Sequence, residues 1–217
     1  MKLHYFGHAA FLLEGSRRIL IDPFLSANPL CDVTEDSLPH ADVVVVTHDH
    51  PDHLGDAFSI CREHGAVLYS LHEIAVMAGQ LGIQAEGMNI GGKISTDGLV
   101  IHLVPAFHTS PSGGVCGAII EVDSLTVYHA GDTGLFGDMR LIGEIFRPDV
   151  MLVPIGDRYT MGPEMAARAV EMVRPKRVVP MHYGTWPAIA VNPATFQSLA
   201  EGYASVQILP PGTCLEC

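Results

Sequence analysis

The chain has 217 residues, 48% of them hydrophobic and 17% charged, enough apolar material to bury a sizeable core. Twelve Lys and Arg against 24 Asp and Glu give a formal charge of −12, which opposes broad binding to phosphate backbones or anionic membranes. Histidine is the anomaly, since its 12 copies equal all Lys and Arg together.

The first residues, Met1-Lys2-Leu3-His4-Tyr5-Phe6-Gly7-His8, are not an apolar leader, and no later run approaches the ~18 apolar residues of a membrane span. Five cysteines (Cys31, Cys61, Cys116, Cys214 and Cys217) are an odd number in a chain too long to need stapling, which fits reduced thiols. A soluble cytoplasmic protein is therefore expected. Short strands are predicted over 2–6, 9–14 and 18–21, followed by a β-branched strand over 42–47. Helices over 56–64, 71–81, 136–146, 163–173 and 193–202 interleave with strands at 66–69, 99–105, 115–121, 125–129, 149–154, 176–180 and 205–209. The last two helices open on Pro163 and Pro193, where a missing N–H costs least.

Val43-Val44-Val45-Val46 and Val150-Met151-Leu152-Val153 are apolar on both faces, so other layers must cover them on both sides. The stretch 94–129 alternates strand and turn without a helix, which predicts hairpins and counts against a doubly wound sheet. With no repeats or low-complexity segments, one domain over 1–217 is expected, built as two sheets sandwiched by helices.

The strongest chemical signal follows the first buried strand: Thr47-His48-Asp49-His50-Pro51-Asp52-His53-Leu54-Gly55. Period-two spacing puts His48 and His50 on one side, and a turn at Pro51 can swing Asp52 and His53 toward a second point nearby. Neutral imidazoles and carboxylates are ligands for Zn²⁺ and related first-row ions. His108, Asp132 and His182 each lie where a predicted strand gives way to a loop.

These residues resemble the metallo-β-lactamase fold superfamily, whose hallmark is His-x-His-x-Asp-His at the end of a buried strand. The chain is similar in particular to its branch of small metal-dependent hydrolases related to ascorbate-6-phosphate lactonase. That likeness covers nearly the whole chain, through Gly7-His8-Ala9-Ala10-Phe11, Leu20-Ile21-Asp22-Pro23, Gly131-Asp132-Thr133 and Pro180-Met181-His182-Tyr183-Gly184-Thr185. The resemblance implies an α/β fold, a four-layer αββα sandwich of two mixed sheets flanked by helices. It also implies two divalent ions, zinc first and manganese, iron or nickel as alternatives. The first would sit on His48, His50 and His108, the second on Asp52, His53 and His182, with Asp132 bridging them.

On that analogy a metal-bridging hydroxide attacks an ester, lactone or phosphoester bond of a small substrate. Asp52 and Asp132 would also direct the hydroxide, and His8 is the candidate acid for the leaving group. Lactamases proper carry Cys where Asp132 stands, so β-lactam hydrolysis is not expected. The alternatives are an RNA nuclease or phosphodiesterase on the same fold, weakened by the charge of −12, and a mononuclear iron oxidoreductase. A non-catalytic metal binder would lack a ligand, and none is missing. The expected partner is a small-molecule substrate, with homo-oligomerisation left open.

Other residues carry weaker signals. Asp22 is expected either to orient a ligating imidazole or to form the turn before Pro23. His8 either contacts substrate at the mouth of the site or is a satisfied structural histidine, and His129 reads as structural. Tyr183 either packs or faces a substrate oxyanion; Arg158 either meets an anionic substrate group or neutralises Asp157. The spacing of Cys214 and Cys217 is zinc-like but has no second pair. His4, His40, His64, His72 and His102 read as ordinary surface or strand positions.

Overall fold

The computed structural model describes residues 1–34 and 37–217. The N-terminal half contributes β1 (Lys2–Gly7), β2 (Ala10–Glu14), β3 (Arg18–Ile21) and β4 (Val43–Val45), then α1 (Pro51–Leu54), α2 (Ala57–His64), β5 (Val67–Leu71), α3 (His72–Gln80) and β6 (Ala85–Met88). Next come β7 (Lys93–Thr96), β8 (Leu99–Pro105), β9 (Cys116–Val122) and β10 (Leu125–His129). The remainder alternates α4 (Met139–Phe146), β11 (Val150–Pro154), α5 (Pro163–Val173), β12 (Arg177–Met181), α6 (Pro193–Ala200), β13 (Ser205–Val206) and β14 (Thr213–Glu216).

Two seven-stranded sheets result, ordered β14-β1-β2-β3-β4-β5-β6 and β13-β12-β11-β10-β9-β8-β7. Both are mixed. In the second, β7 to β10 pair antiparallel as hairpins, as the missing helical pattern foretold, and β10 to β13 run parallel.

Strand alternation explains why the strands are apolar on both faces. Val43 and Val45 enter the core between the sheets, whereas Val44 and Val46 enter the core under α2 and α3. Val150 and Leu152 likewise face the inter-sheet core, and Met151 and Val153 pack under α4, α5 and α6. Three apolar cores thus separate four layers, helix on sheet on sheet on helix. Among the described residues no helix is long and apolar enough to cross a membrane.

Several boundaries differ from the sequence reading for physical reasons. The strand expected over 42–47 is regular only at Val43–Val45. Asp42 turns its carboxylate to the Arg18 amide, and Thr47 leaves the ladder to give its amide to Asp22. The expected helix start at 136 shifts to Met139, and the strand over 205–209 shortens to two residues. Strands β6, β7 and β14 were not foreseen; β6 and β7 are outermost in their sheets and mostly solvent-facing. Cys214 lies on β14 and Cys217 directly follows it, and an odd spacing of three along extended chain does not put two side chains on one face as a ligand pair would need.

Candidate metal centre

The donors gather at one end of the sandwich, where strands of both sheets release their loops. His48 follows β4, and α1 begins at Pro51, placing Asp52 and His53 in its single turn. That turn closes at Gly55, where φ is +42° and a Cβ would come within 2.4 Å of the Pro23 carbonyl oxygen, so glycine is required. His108 lies beyond β8, Asp132 beyond β10 and His182 directly after β12. Three non-glycine residues here, His8 (φ +57°), Asp22 (+44°) and His182 (+56°), hold the left-handed backbone region. Such strain persists only where surrounding contacts enforce it. One such contact is the His182 amide, which donates to the His8 carbonyl at 2.7 Å and ties the β1–β2 turn to the end of β12.

Three groups of donor atoms each lie within 4.8 Å of one another: His48, His50 and His108; His48, His53 and Asp132; and His8, Asp52, His53 and His182. Asp132 joins them, with Oδ1 at 3.2 Å from His53 Nε2 and Oδ2 at 3.1 Å from His182 Nε2 and 3.5 Å from His108 Nε2. All seven residues singled out as ligands in the sequence are therefore brought together.

The buried Asp22 carboxylate fixes how two of these rings present their nitrogens. Its Oδ1 accepts the Thr47 amide at 2.8 Å, and its Oδ2 accepts the Thr47 hydroxyl and His53 Nδ1–H, both at 2.7 Å. With its proton given to Asp22, the Thr47 hydroxyl accepts from His48 Nδ1–H at 3.1 Å. Both imidazoles thereby carry a proton on Nδ1, and their Nε2 atoms turn toward the centre, that of His48 to His50 Nδ1 at 3.0 Å and that of His53 to Asp132. A second brace joins distant loops. Asp49 accepts the Ser112 amide (3.0 Å) and hydroxyl (3.0 Å), anchoring the His108 loop beside His50.

Whether the donors suit divalent cations can be read from their polar atoms. His53 Nε2, Asp132 Oδ1 and both ring nitrogens of His182 are buried without a hydrogen-bond partner. His53 Nε2 and His182 Nε2 nevertheless approach Asp132 to 3.2 and 3.1 Å, so these unpartnered atoms crowd around one carboxylate. Buried polar atoms without a partner are uncommon, and a bound ion among these donors would complete His53 Nε2, Asp132 Oδ1 and His182 Nε2.

With protons alone to balance charge, burial would push the Asp132 carboxyl up, yet His182 and His53 hold it well below its usual range. Burial opposes protonation of His53, but Asp132 and Asp22 raise it well above the ordinary imidazole value. His182 is lifted to about 9 against the same burial, chiefly by Asp132. His48, desolvated and beside His53, is pushed down to about 2 and stays neutral. The cluster demands cationic charge, and its mixed imidazole and carboxylate donors suit borderline divalent ions.

His8 is fully buried and so cannot sit at the mouth of the site, contrary to one of its two readings. Its Nε2–H donates to Asp52 Oδ2 at 3.1 Å, and its Nδ1 accepts the Thr185 hydroxyl at 2.8 Å. His129 is held between the Ala9 carbonyl and the Gly131 amide. Tyr183 is half-buried against the helix-side core, and Arg158 is exposed over the Tyr159 ring. Sequence reasoning missed Thr47, Thr185, Ser112 and the role of Asp49. It also missed Trp186, whose ring centroid is 5.0 Å from that of His8. A lone tryptophan four residues after a ligand candidate was the available signal for the last.

Comparison with known proteins follows the same lines. A family model described as a beta-lactamase superfamily domain matches residues 17–183. A UPF0173 metal-dependent hydrolase of Pelotomaculum thermopropionicum is 47% identical over 228 residues, covering all of both chains. Another, from Thermococcus kodakarensis, is 49% identical over 224 residues, covering 100% of this chain and 99% of the relative. Among solved structures, a metallo hydrolase from the hyperthermophilic archaeon Ignicoccus hospitalis superposes with a TM-score of 0.94 at 46% identity, over 100% of this chain and 98% of that one.

Proposed function

The chain belongs to the beta-lactamase superfamily domain family and is a metal-dependent hydrolase, and we propose that its centre is dinuclear and cleaves an ester, lactone or phosphoester bond of a small substrate. His48, His50 and His108 would hold one divalent ion and Asp52, His53 and His182 the other, with Asp132 shared. Zinc is the first expectation, with manganese, iron and nickel as alternatives. The observation that carries this reading is the position of Asp132, whose two oxygens divide among His53, His108 and His182. Such ions supply Lewis acidity and bring the ionisation of water toward neutral pH.

The protein's part is orientation and charge. Asp22, directly for His53 and through Thr47 for His48, holds the Nδ1 proton of each ring, so that Nε2 is the nitrogen turned inward. His8 spends its Nε2 proton on Asp52, fixing that carboxylate, and Thr185 fixes His8. In this reading His8 is a positioning residue, not the acid that protonates the leaving group. Asp52 and Asp132 present carboxylate oxygens that would accept a hydrogen bond from an attacking water and set its direction.

Protein reconstituted with Zn²⁺ or Mn²⁺ is expected to hydrolyse members of a panel of p-nitrophenyl esters, lactones and bis-p-nitrophenyl phosphate. His50→Ala and Asp132→Ala should lose turnover together with part of the bound metal. Turnover that survives complete metal removal would overturn the reading. Salt-sensitive RNA binding with cleavage of RNA would favour the nuclease alternative.

A further inference from the structure

Four aromatic side chains are exposed among the described residues: Phe107 (64%), Tyr159 (55%), Trp186 (38%) and Tyr203. Three of them lie on loops at the metal-centre end of the sandwich, and exposed apolar side chains gathered around a site, unlike scattered ones, mark a place where a ligand binds. Phe107 directly precedes His108. Its amide donates to the Thr133 hydroxyl at 2.9 Å and its carbonyl accepts the Gly134 amide at 3.0 Å, so it is pinned beside Asp132. Behind it stands Phe136, with ring centroids 5.1 Å apart. Trp186 follows His182 by four residues and leans on His8 (5.0 Å) and Phe24 (6.1 Å). The rings of His8, His53, His48 and His108 succeed one another between these two walls at centroid spacings of 5.7, 4.1 and 5.5 Å.

Charge points the same way. Over the loop stretches that carry the site, 7–9, 22–34, 47–56, 106–115, 130–138, 155–162 and 182–192, the sequence has one basic residue, Arg158. Its guanidinium lies over Tyr159, 5.7 Å from the ring centroid. An anionic phosphodiester would meet little to grip besides the metals, within a chain of charge −12.

Resting on the hydrolase reading above, we infer that the centre acts on uncharged ester or lactone substrates bearing an apolar group, aryl above all, beside the scissile bond, and that Trp186 and Phe107 select that group. The aromatic walls exclude water from the apolar group while the scissile carbonyl lies over the donor cluster.

Trp186 is the only tryptophan, so its fluorescence reports occupancy directly and independently of turnover. In metal-loaded protein, phenylacetamide should change Trp186 emission saturably, and acetamide at equal concentration should not. Phe107→Ala should weaken the phenylacetamide titration about three- to tenfold, as loss of one aromatic contact implies, and Tyr203→Ala should leave it unchanged. In turnover, KM for p-nitrophenyl phenylacetate should be lower than for p-nitrophenyl acetate. Trp186→Ala should raise the former KM with little change in kcat, and Trp186→Phe should restore it. Equal titration by both amides, insensitivity to Phe107→Ala, or preference for bis-p-nitrophenyl phosphate would overturn the inference. Failure to hydrolyse any ester would sink the hydrolytic reading on its own, since the fluorescence titration tests the aromatic walls without catalysis.

Discussion

Replacing Asp22 by Asn should reverse the proton arrangement of two metal-facing imidazoles while changing almost no volume. If Asn keeps its oxygen on the Thr47 amide, its NH₂ replaces Oδ2, which now accepts from both the Thr47 hydroxyl and His53. The Thr47 hydroxyl would then accept from the amide and donate to His48 Nδ1, and His53 Nδ1 would have to accept too. His48 would move its proton to Nε2 and His53 would keep a proton only there, the nitrogen turned toward the centre. The stability cost is the loss of a charge-assisted bond in a fully buried site, about 1.5–3 kcal/mol. Metal affinity should fall by about 10–100-fold, or roughly 1.4–2.8 kcal/mol, because each ligand must shed a proton or turn its ring. Urea unfolding of the metal-free protein gives the first quantity and Zn²⁺ competition with a chelator the second. Long-range ¹⁵N–¹H correlation spectra of the histidine rings read the tautomers. An Asn variant with wild-type metal affinity and unchanged tautomers would refute the proton chain.

Further predictions concern the rest of the cluster. His182 is raised to about 9 chiefly by Asp132, so in metal-free protein its charge stabilises the fold fully below its ordinary pKa, and that contribution is lost as pH rises through about 9. Metal must displace that proton and the one on His53, so Zn²⁺ affinity should rise with pH up to about 9, and calorimetry in buffers of different ionisation enthalpy should detect proton release. An affinity that falls over that range would contradict the charge assignment. Asp49→Ala frees the His108 loop from Ser112 and should weaken binding of one ion about tenfold, the equivalent of one or two hydrogen bonds, while the other ion stays tight. Equal weakening of both ions would argue against a local brace. Thr185→Val removes the donor to His8 Nδ1 and should lower kcat with KM nearly constant, at a stability cost of about 1–2 kcal/mol. A variant that altered only KM would place Thr185 against substrate instead.

The donor set was legible because it consists of chemical types at strand ends: His48 and His50 alternate after a run of valines, and a glycine-flanked Asp132 follows a short apolar strand. The layered fold was legible for a related reason, since only strands buried on both faces can be valine at every position. What holds the donors in place was not. The Asp22–Thr47 bonds span 25 residues and the Asp49–Ser112 bonds span 63, and threonine, serine and aspartate carry no local mark of such pairing. His8 shows the same difficulty. Beside a glycine it reads as a loop residue, yet the β1–β2 turn folds it inward until both ring nitrogens are satisfied. Edge strands β6 and β14 escaped notice because Glu86, Gly87, Thr213 and Cys214 lack β-strand patterning and are held by neighbours distant in sequence.

The dinuclear centre is tested most directly by counting metal. Protein stripped with chelator, reloaded with Zn²⁺ and desalted should carry two equivalents per chain by mass spectrometry of the metal, with His50→Ala retaining about one and Asp132→Ala fewer than two. Saturation of the unaltered chain at one equivalent or none would contradict the account.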